Sequence, residues 1–184
     1  MNFLYETPRL HLKVLNENHA ADVLDFLQKN KAFFEPFEAQ KKPSYYTLSY
    51  QTENLKAEYN AFLKTKYVRF YVFRKDAPNQ IIGTISFSNL LAFPYSTATL
   101  GYKFAFAHQH MGYATEAVAA ACHAMFKDAC FHRLEAFVLP DNLPSCHVLE
   151  RIGFDLEGLC RGAININGIY RDHYKFALLN SLQS

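Results

Sequence analysis

The spacing of apolar residues changes period several times along the chain, and each change marks an element. In RLHLKVL, Leu10, Leu12 and Val14 alternate with polar residues, the pattern of a strand with one buried face. NENHAADVLDFLQKN then sets Val23, Leu24 and Leu27 on one helical face, with Asn16 or Asn18 available as the N-cap. An irregular stretch follows, KAFFEPFEAQKKPSYY, with two prolines and five aromatics. Those aromatics either plug the core or line a cleft, and the pattern leaves both open. SYQTENLKAEYNAFLKT reads as a second helix.

From Tyr67 the period is two. YVRFYVFRK, QIIGTISFSN and STATLGYKFAF read as successive strands, the first two joined by the turn DAPN and the next two by LLAFPYS. GYATEAVAAACHAMFKDACF returns to helical spacing at Val118, Cys122, Met125 and Phe126. RLEAFVLP is a strand, and NLPSCHVLERIGF is a short helix closed by Gly153. DLEGLCRGAI and IYRDHYKFALL are strands joined at Asn167-Gly168, a strong hairpin signal. The expected architecture is one α/β (α+β) domain over residues 1–184. It has a mixed, mostly antiparallel sheet of about seven strands and about four flanking helices. Such a sheet must reverse strand direction near its middle, and clefts open where neighbouring strands part.

Composition narrows the function. The chain has 184 residues, half of them apolar, enough for one substantial core. Its net charge of +2 and lack of a Lys/Arg block argue against a nucleic-acid groove. The apolar stretches fall short of the ~20 residues that span a bilayer. No basic region precedes an apolar run at the N-terminus, so no signal peptide is expected. Cys122, Cys130, Cys146 and Cys160 include no C-x-x-C pair and read as reduced thiols of a cytoplasmic protein.

The candidate chemistry lies at two strand–helix junctions. In HQHMGYATEA, the amides at the start of a helix have no internal partner and the helix dipole is positive. Gly112 lacks a side chain, Ala114 nearly so, and Thr115 adds a hydroxyl. Gln109-x-x-Gly112-x-Ala114 can therefore cradle a phosphate, although a loop glycine alone would also explain the pattern. His108 and His110 alternate faces if extended, and nothing completes a metal-ligand set, so no metal is expected. In PDNLPSCHVLERIGF, Asn142 suits a helix N-cap and Pro144 the first turn. Ser145 in the same turn can meet a ligand in the cleft.

Together these segments resemble the GNAT acyltransferase superfamily, and within it the RimJ/RimL-type ribosomal-protein N-acetyltransferases. The likeness runs from ETPRLHLKVL through IIGTISFSNL, ATLGYKF, GYATEAV and HRLEAFVLPDNLPSCHVLERIGFDLEGLCRG to INGIYRDHYKFALL, and is weaker across about residues 30–65. The resemblance implies acetyl-CoA as cofactor, its pyrophosphate on Gln109, His110, Met111, Gly112, Tyr113, Ala114 and Thr115. It implies a pantetheine arm paired along the strand end Phe104-Ala105-Phe106, with an oxyanion donor among those backbone N–H groups. Asn142 and Ser145 would meet the cofactor from the other side, with Ser145 the candidate to protonate the leaving sulfur. Phe34, Phe37 and Glu38 of the aromatic loop, beside Phe33, would bind the acceptor with the final hairpin and Tyr102.

The implied reaction is direct attack of a primary amine on the thioester in a ternary complex. The family favours the N-terminal α-amine of a ribosomal protein, hence contact with such a protein, by a monomer or homodimer. A small amine such as a polyamine or antibiotic is the alternative acceptor, and a non-catalytic CoA-binding regulator the alternative role. Three features depart from the family pattern. His110-Met111 stand within a motif that often reads Gln-Gly-Lys-Gly, Leu149 replaces a tyrosine general acid, and Ile164 replaces a glutamate. Glu116 and Glu38 are the candidates left for a base, although Glu116 also suits the dipole at its helix start.

Overall fold

A computed structural model of the chain describes residues 1–180. Its strands are β1 (Leu4–Glu6), β2 (Leu10–Lys13), β3 (Val68–Arg74), β4 (Ala77–Leu91), β5 (Thr97–Phe104), β6 (Arg133–Val138), β7 (Asp155–Ile166) and β8 (Ile169–Leu179). The α-helices are α1 (Ala20–Lys29), α2 (Lys31–Phe34), α3 (Leu48–Leu63), α4 (Tyr113–Lys127) and α5 (Leu143–Ile152). Among the described residues the strands form one eight-stranded sheet in the order β1-β2-β3-β4-β5-β6-β8-β7. Every neighbouring pair is antiparallel except β5 with β6.

Strand alternation builds two cores, one on each face. Val68, Phe70 and Val72 of β3 pack with Val118, Cys122 and Met125 of α4, in a cluster that also takes Cys146 and Leu149 of α5. Tyr71 and Phe73, at the alternate positions, join Val23, Phe26 and Leu27 of α1 and Leu55 of α3 on the opposite face. One strand thus holds both helical layers, because successive side chains point to opposite sides.

The eight strands exceed the expected seven because β1 was not legible. It has three residues, none fully buried, too few to show an alternation. α2, a single turn, raises the helix number and lies inside the aromatic stretch. Both readings of that stretch hold in part, since Phe34 is buried in the second core while Phe37 is exposed. The final hairpin follows the expectation. Asn167 and Gly168 take φ of 51° and 88°, the two left-handed residues that a type I′ turn needs.

One glycine fixes a close approach beside the sheet's centre. A Cβ on Gly83 would stand 2.5 Å from Cδ1 of the buried Phe104 ring. Gly83→Ala is therefore expected to lower stability by about 1–3 kcal/mol in urea unfolding, as overpacked cores do. Gly101→Ala, where the nearest atom is the Ser86 hydroxyl at 3.4 Å, should change it little.

Candidate active site

The cleft begins where two parallel strands part. β5 and β6 pair from Thr97–Arg133 to Leu100–Ala136, and no farther. β5 then stays with β4 as far as Gly83–Phe104, while β6 stays with β8 as far as Val138–Tyr174. The Ala105 N–H donates to the Ile82 carbonyl at 2.8 Å, which sets the parity of the β4–β5 ladder. Alternate residues of an antiparallel strand bond to one neighbour. The backbone N–H and C=O groups of Tyr102 and Phe104 therefore face away from β4, into the split. A cleft of about 850 Å³ runs through it, past the first turns of α4 and α5.

At one end stands the start of α4. Gly112 is its N-cap, at φ 76° and ψ 3°, and no side chain caps the helix. The preceding His110 also has a left-handed φ of 60°. The Glu116 N–H reaches the Gly112 carbonyl at 3.1 Å, so the amides of Tyr113, Ala114 and Thr115 precede the first intrahelical bond. These amides, the positive helix end and the absent glycine side chain suit a phosphate group.

Arg9 and Glu116 brace this turn from behind. The Arg9 guanidinium donates to the Met111 carbonyl at 2.9 Å and to Glu116 Oε2 at 2.6 Å, and it lies 4.6 Å from the centroid of the Tyr113 ring. Glu116 Oε1 also accepts from the Thr7 hydroxyl at 2.6 Å and the Arg9 amide at 3.0 Å. Burial opposes ionisation of Glu116, but the Thr7 and Arg9 hydrogen bonds outweigh it and hold the carboxyl below the usual range. Glu116 is thus occupied away from the cleft and is not placed to take a proton, which removes it as a candidate base.

At the α5 junction, the Asn142 side chain accepts from the Ser145 N–H at 3.4 Å, as an N-cap. The Tyr102 hydroxyl reaches across to Ser145, 2.8 Å from Oγ and 3.0 Å from the carbonyl oxygen. Burial pushes the Tyr102 phenol far above its ordinary pKa, so it stays a protonated donor. If the tyrosine donates to Oγ, the serine proton is free to point into the cleft. Leu149, where the family has tyrosine, is fully buried in the core and presents nothing to the cleft. Tyr102, expected on the acceptor side, lies on this one.

Other expected positions separate. Phe104, Gln109, His110, Gly112, Tyr113, Ala114 and Thr115 line the cleft, as do Asn142 and Ser145. Ala105, Phe106 and Met111 do not. β5 ends at Phe104, and Phe106–His108 form a 3-10 turn. The Ala105 N–H is spent on Ile82, and that of Phe106 donates to Asn30 Oδ1 at 3.2 Å. The strand pattern STATLGYKFAF ran two residues too far because its last apolar residues serve the turn; the Phe106 ring packs on Phe33. Met111 contributes its carbonyl to Arg9, and its side chain is exposed. No group of three metal-binding side chains occurs among the described residues.

The opposite wall holds Phe33, Phe34, Phe37 and Glu38 with groups not expected from the sequence, Lys103, Arg69 and His173. Lys103 Nζ lies 2.7 Å from Glu38 Oε1 and 4.7 Å from the centre of the Phe34 ring. Burial pulls its ammonium pKa down against the raising effect of Glu38. Arg69 faces Glu58 at 3.4 Å. The signal for Lys103 and Arg69 was present: each is the charged position between apolar neighbours in a strand, and so points to the other face. Asn167 at the hairpin tip donates to the Glu35 carbonyl at 3.2 Å and ties the hairpin to the aromatic loop. Ile164 lines the cleft where the family has a carboxylate.

A split between the only parallel pair of the described sheet, with an uncapped helix start at its end, has close counterparts. The acetyltransferase (GNAT) domain family matches residues 9–155. The chain belongs to this family. It is 33% identical to the probable N-acetyltransferase YjcK of Bacillus subtilis over 93% of this chain and 94% of that one. The ribosomal-protein-S5-alanine acetyltransferase structure from Vibrio fischeri superposes with a TM-score of 0.93 at 26% identity, over 98% of each chain. RimJ of Mycobacterium smegmatis, solved with CoA-disulfide, shares the fold at a TM-score of 0.86 and 24% identity, over 92% of this chain and 81% of that one. The protein is a GNAT acetyltransferase, related to the RimJ/RimL group.

The brace gives a pH signature. Because the folded-state pKa of Glu116 is depressed, its contribution to stability is complete above the unfolded glutamate range, about pH 4.3. It is lost as pH falls through the lower folded value. Urea unfolding should show Glu116→Gln less stable than the native chain at pH 7, with the gap closing on acidification below about pH 4. A gap independent of pH would show that the carboxylate charge is not what holds the turn.

Proposed function

We propose that this enzyme transfers an acetyl group from acetyl-CoA to the N-terminal α-amine of a protein, a ribosomal protein in particular. The observation that carries the reading is the β5–β6 split with the uncapped amides of α4 at its end. The diphosphate would rest on the amides of Gly112 to Thr115, with Gln109 and His110 beside it. The amide-bearing arm would run between the strands, where the backbone of Tyr102 and Phe104 offers N–H and C=O groups to an added strand. Bound there, acetyl-CoA supplies an activated thioester carbonyl. The Phe104 N–H is the candidate donor to the developing oxyanion. Ser145, backed by the Tyr102 hydroxyl, is the donor to the departing sulfur.

The acceptor enters on the other face. There Lys41, Arg69 and Lys103 stand against Glu38 and Glu58, one cation in excess. A polyamine would meet like charge on this wall. A single α-amine, with pKa near 8, arrives partly neutral and needs no acidic pocket to hold it. The relative from Vibrio fischeri, which is a ribosomal-protein-S5-alanine acetyltransferase, supports a ribosomal N-terminus.

Thiol release from acetyl-CoA, measured over peptides with free N-termini, polyamines and aminoglycosides, tests the acceptor. Peptide turnover at least tenfold above the small amines is expected; turnover of the small amines alone would overturn the peptide reading. Gly112→Asp tests the cradle separately. It places a carboxylate among the amides at a left-handed φ of 76°, and calorimetry should show CoA affinity reduced at least tenfold in a folded variant. Unchanged affinity would remove the cradle from α4.

A further inference from the structure

The acceptor amine must lose a proton, and the expected carboxylates are not free to take it. Among the described residues the carboxylates lining the cleft are Glu38 and Asp141. Glu38 is tied to Lys103 at 2.7 Å and Asp141 to Arg171 at 2.8 Å. His108 and His110 sit at the cradle, and His147 is on α5. His173 is different. It lies on β8, opposite Cys160 of β7 and one register step beyond the last β6–β8 pair, Val138–Tyr174. It is therefore beside the half of β6 that has left β5. Its side chain shares the face of Lys175 and Glu135, the face that carries Lys103 on β5.

His173 is only 3% exposed, and its Nδ1 lies 3.0 Å from the Arg171 carbonyl oxygen. A carbonyl only accepts, so Nδ1 must carry the proton. Nε2 is then the basic nitrogen. Among the described residues it has no hydrogen-bond partner, yet it is not among the enclosed unpartnered atoms, and His173 lines the cleft. The imidazole is thus buried, fixed in one tautomer by the Arg171 carbonyl, and lines the cleft with Nε2 unspent. The charged groups around it are partnered, Lys175 and Arg133 with Glu135 and Glu157, Arg171 with Asp141, and Lys103 and Lys41 with Glu38. Cys160 faces it from β7.

We propose that His173 Nε2 is the general base of the reaction, accepting the proton of the acceptor amine directly or through one water. This rests on the acetyl-transfer reading above. As the amine nitrogen bonds to the thioester carbon, its N–H proton passes to Nε2. The C–S bond breaks, the thiolate takes a proton from the Ser145–Tyr102 hydroxyl pair, and the imidazolium gives one proton to solvent while that pair takes one back from it. Amine and thioester become amide and thiol.

His173→Asn is the informative variant, because the asparagine amide can still donate to the Arg171 carbonyl while the Nε2 lone pair is lost. Its kcat/KM for a peptide acceptor at pH 7 should fall about 10²–10⁴-fold, with CoA affinity by calorimetry within about threefold of the native value. On the acid side, log kcat/KM of the native enzyme should steepen from a slope of one, set by the amine, to two; the variant should stay at one. Imidazole ¹⁵N spectra of the unliganded protein should show Nδ1 as the protonated nitrogen of the neutral His173 ring. A protonated Nε2 in the neutral ring, an unchanged slope, or a loss confined to CoA binding would each overturn the proposal. No turnover of any amine by the native enzyme would instead strike the acetyl-transfer reading and leave the tautomer to be judged by the spectra.

Discussion

The parting of β5 from β6 after the Leu100–Ala136 rung organises everything else. Each strand is held on its outer side, β5 by β4 and β6 by β8, so neither can follow the other. A buried backbone group without a partner is costly. The Tyr102 and Phe104 groups that face the gap therefore call for partners other than β6, which water or an added strand can supply. α4 follows β5 after the eight residues 105–112, which include a 3-10 turn, and α5 follows β6 after the four residues 139–142. Both helix starts are thereby delivered to the opening, one with bare amides and one with the Asn142–Ser145 cap.

Alternation along β5 separates two sets of side chains. Tyr102 and Phe104 belong to the face of α4 and α5, where Ser145 is met. Lys103 points to the other face, against Glu38 and Phe34. One strand thus sends the Tyr102–Ser145 contact and the Lys103–Glu38 pair to opposite sides of the sheet. The excess positive charge of the acceptor wall is modest and largely paired.

The cradle itself depends on a distant part of the chain. Thr7 and Arg9, in the turn between β1 and β2, hold Glu116 and the Met111 carbonyl. A charged pair that the sequence displays more than a hundred positions apart thus fixes a glycine turn. Exposed ion pairs contribute little, but Glu116 is largely enclosed and accepts from the Thr7 hydroxyl, the Arg9 amide and the Arg9 guanidinium. It acts as a clamp on backbone geometry.

Local chemistry in the sequence determined the helices, the long strands, the hairpin at Asn167-Gly168 and the glycine at the start of α4. Each is decided within a few residues by periodicity, capping or a left-handed turn. It also marked Asn142 and Ser145, whose capping pattern is local. Tertiary structure alone decided which strand ends face the gap. Ala105 and Phe106 look like continuing strand, but the Ile82 carbonyl and the Asn30 side chain take their amides. It decided that Glu116 is a brace, that Tyr102 backs Ser145, and that His173 lines the cleft. The physical reason is common to all of these. A side chain's role was set by partners from other strands and helices, and those partners are fixed by strand order and register, which no local pattern encodes.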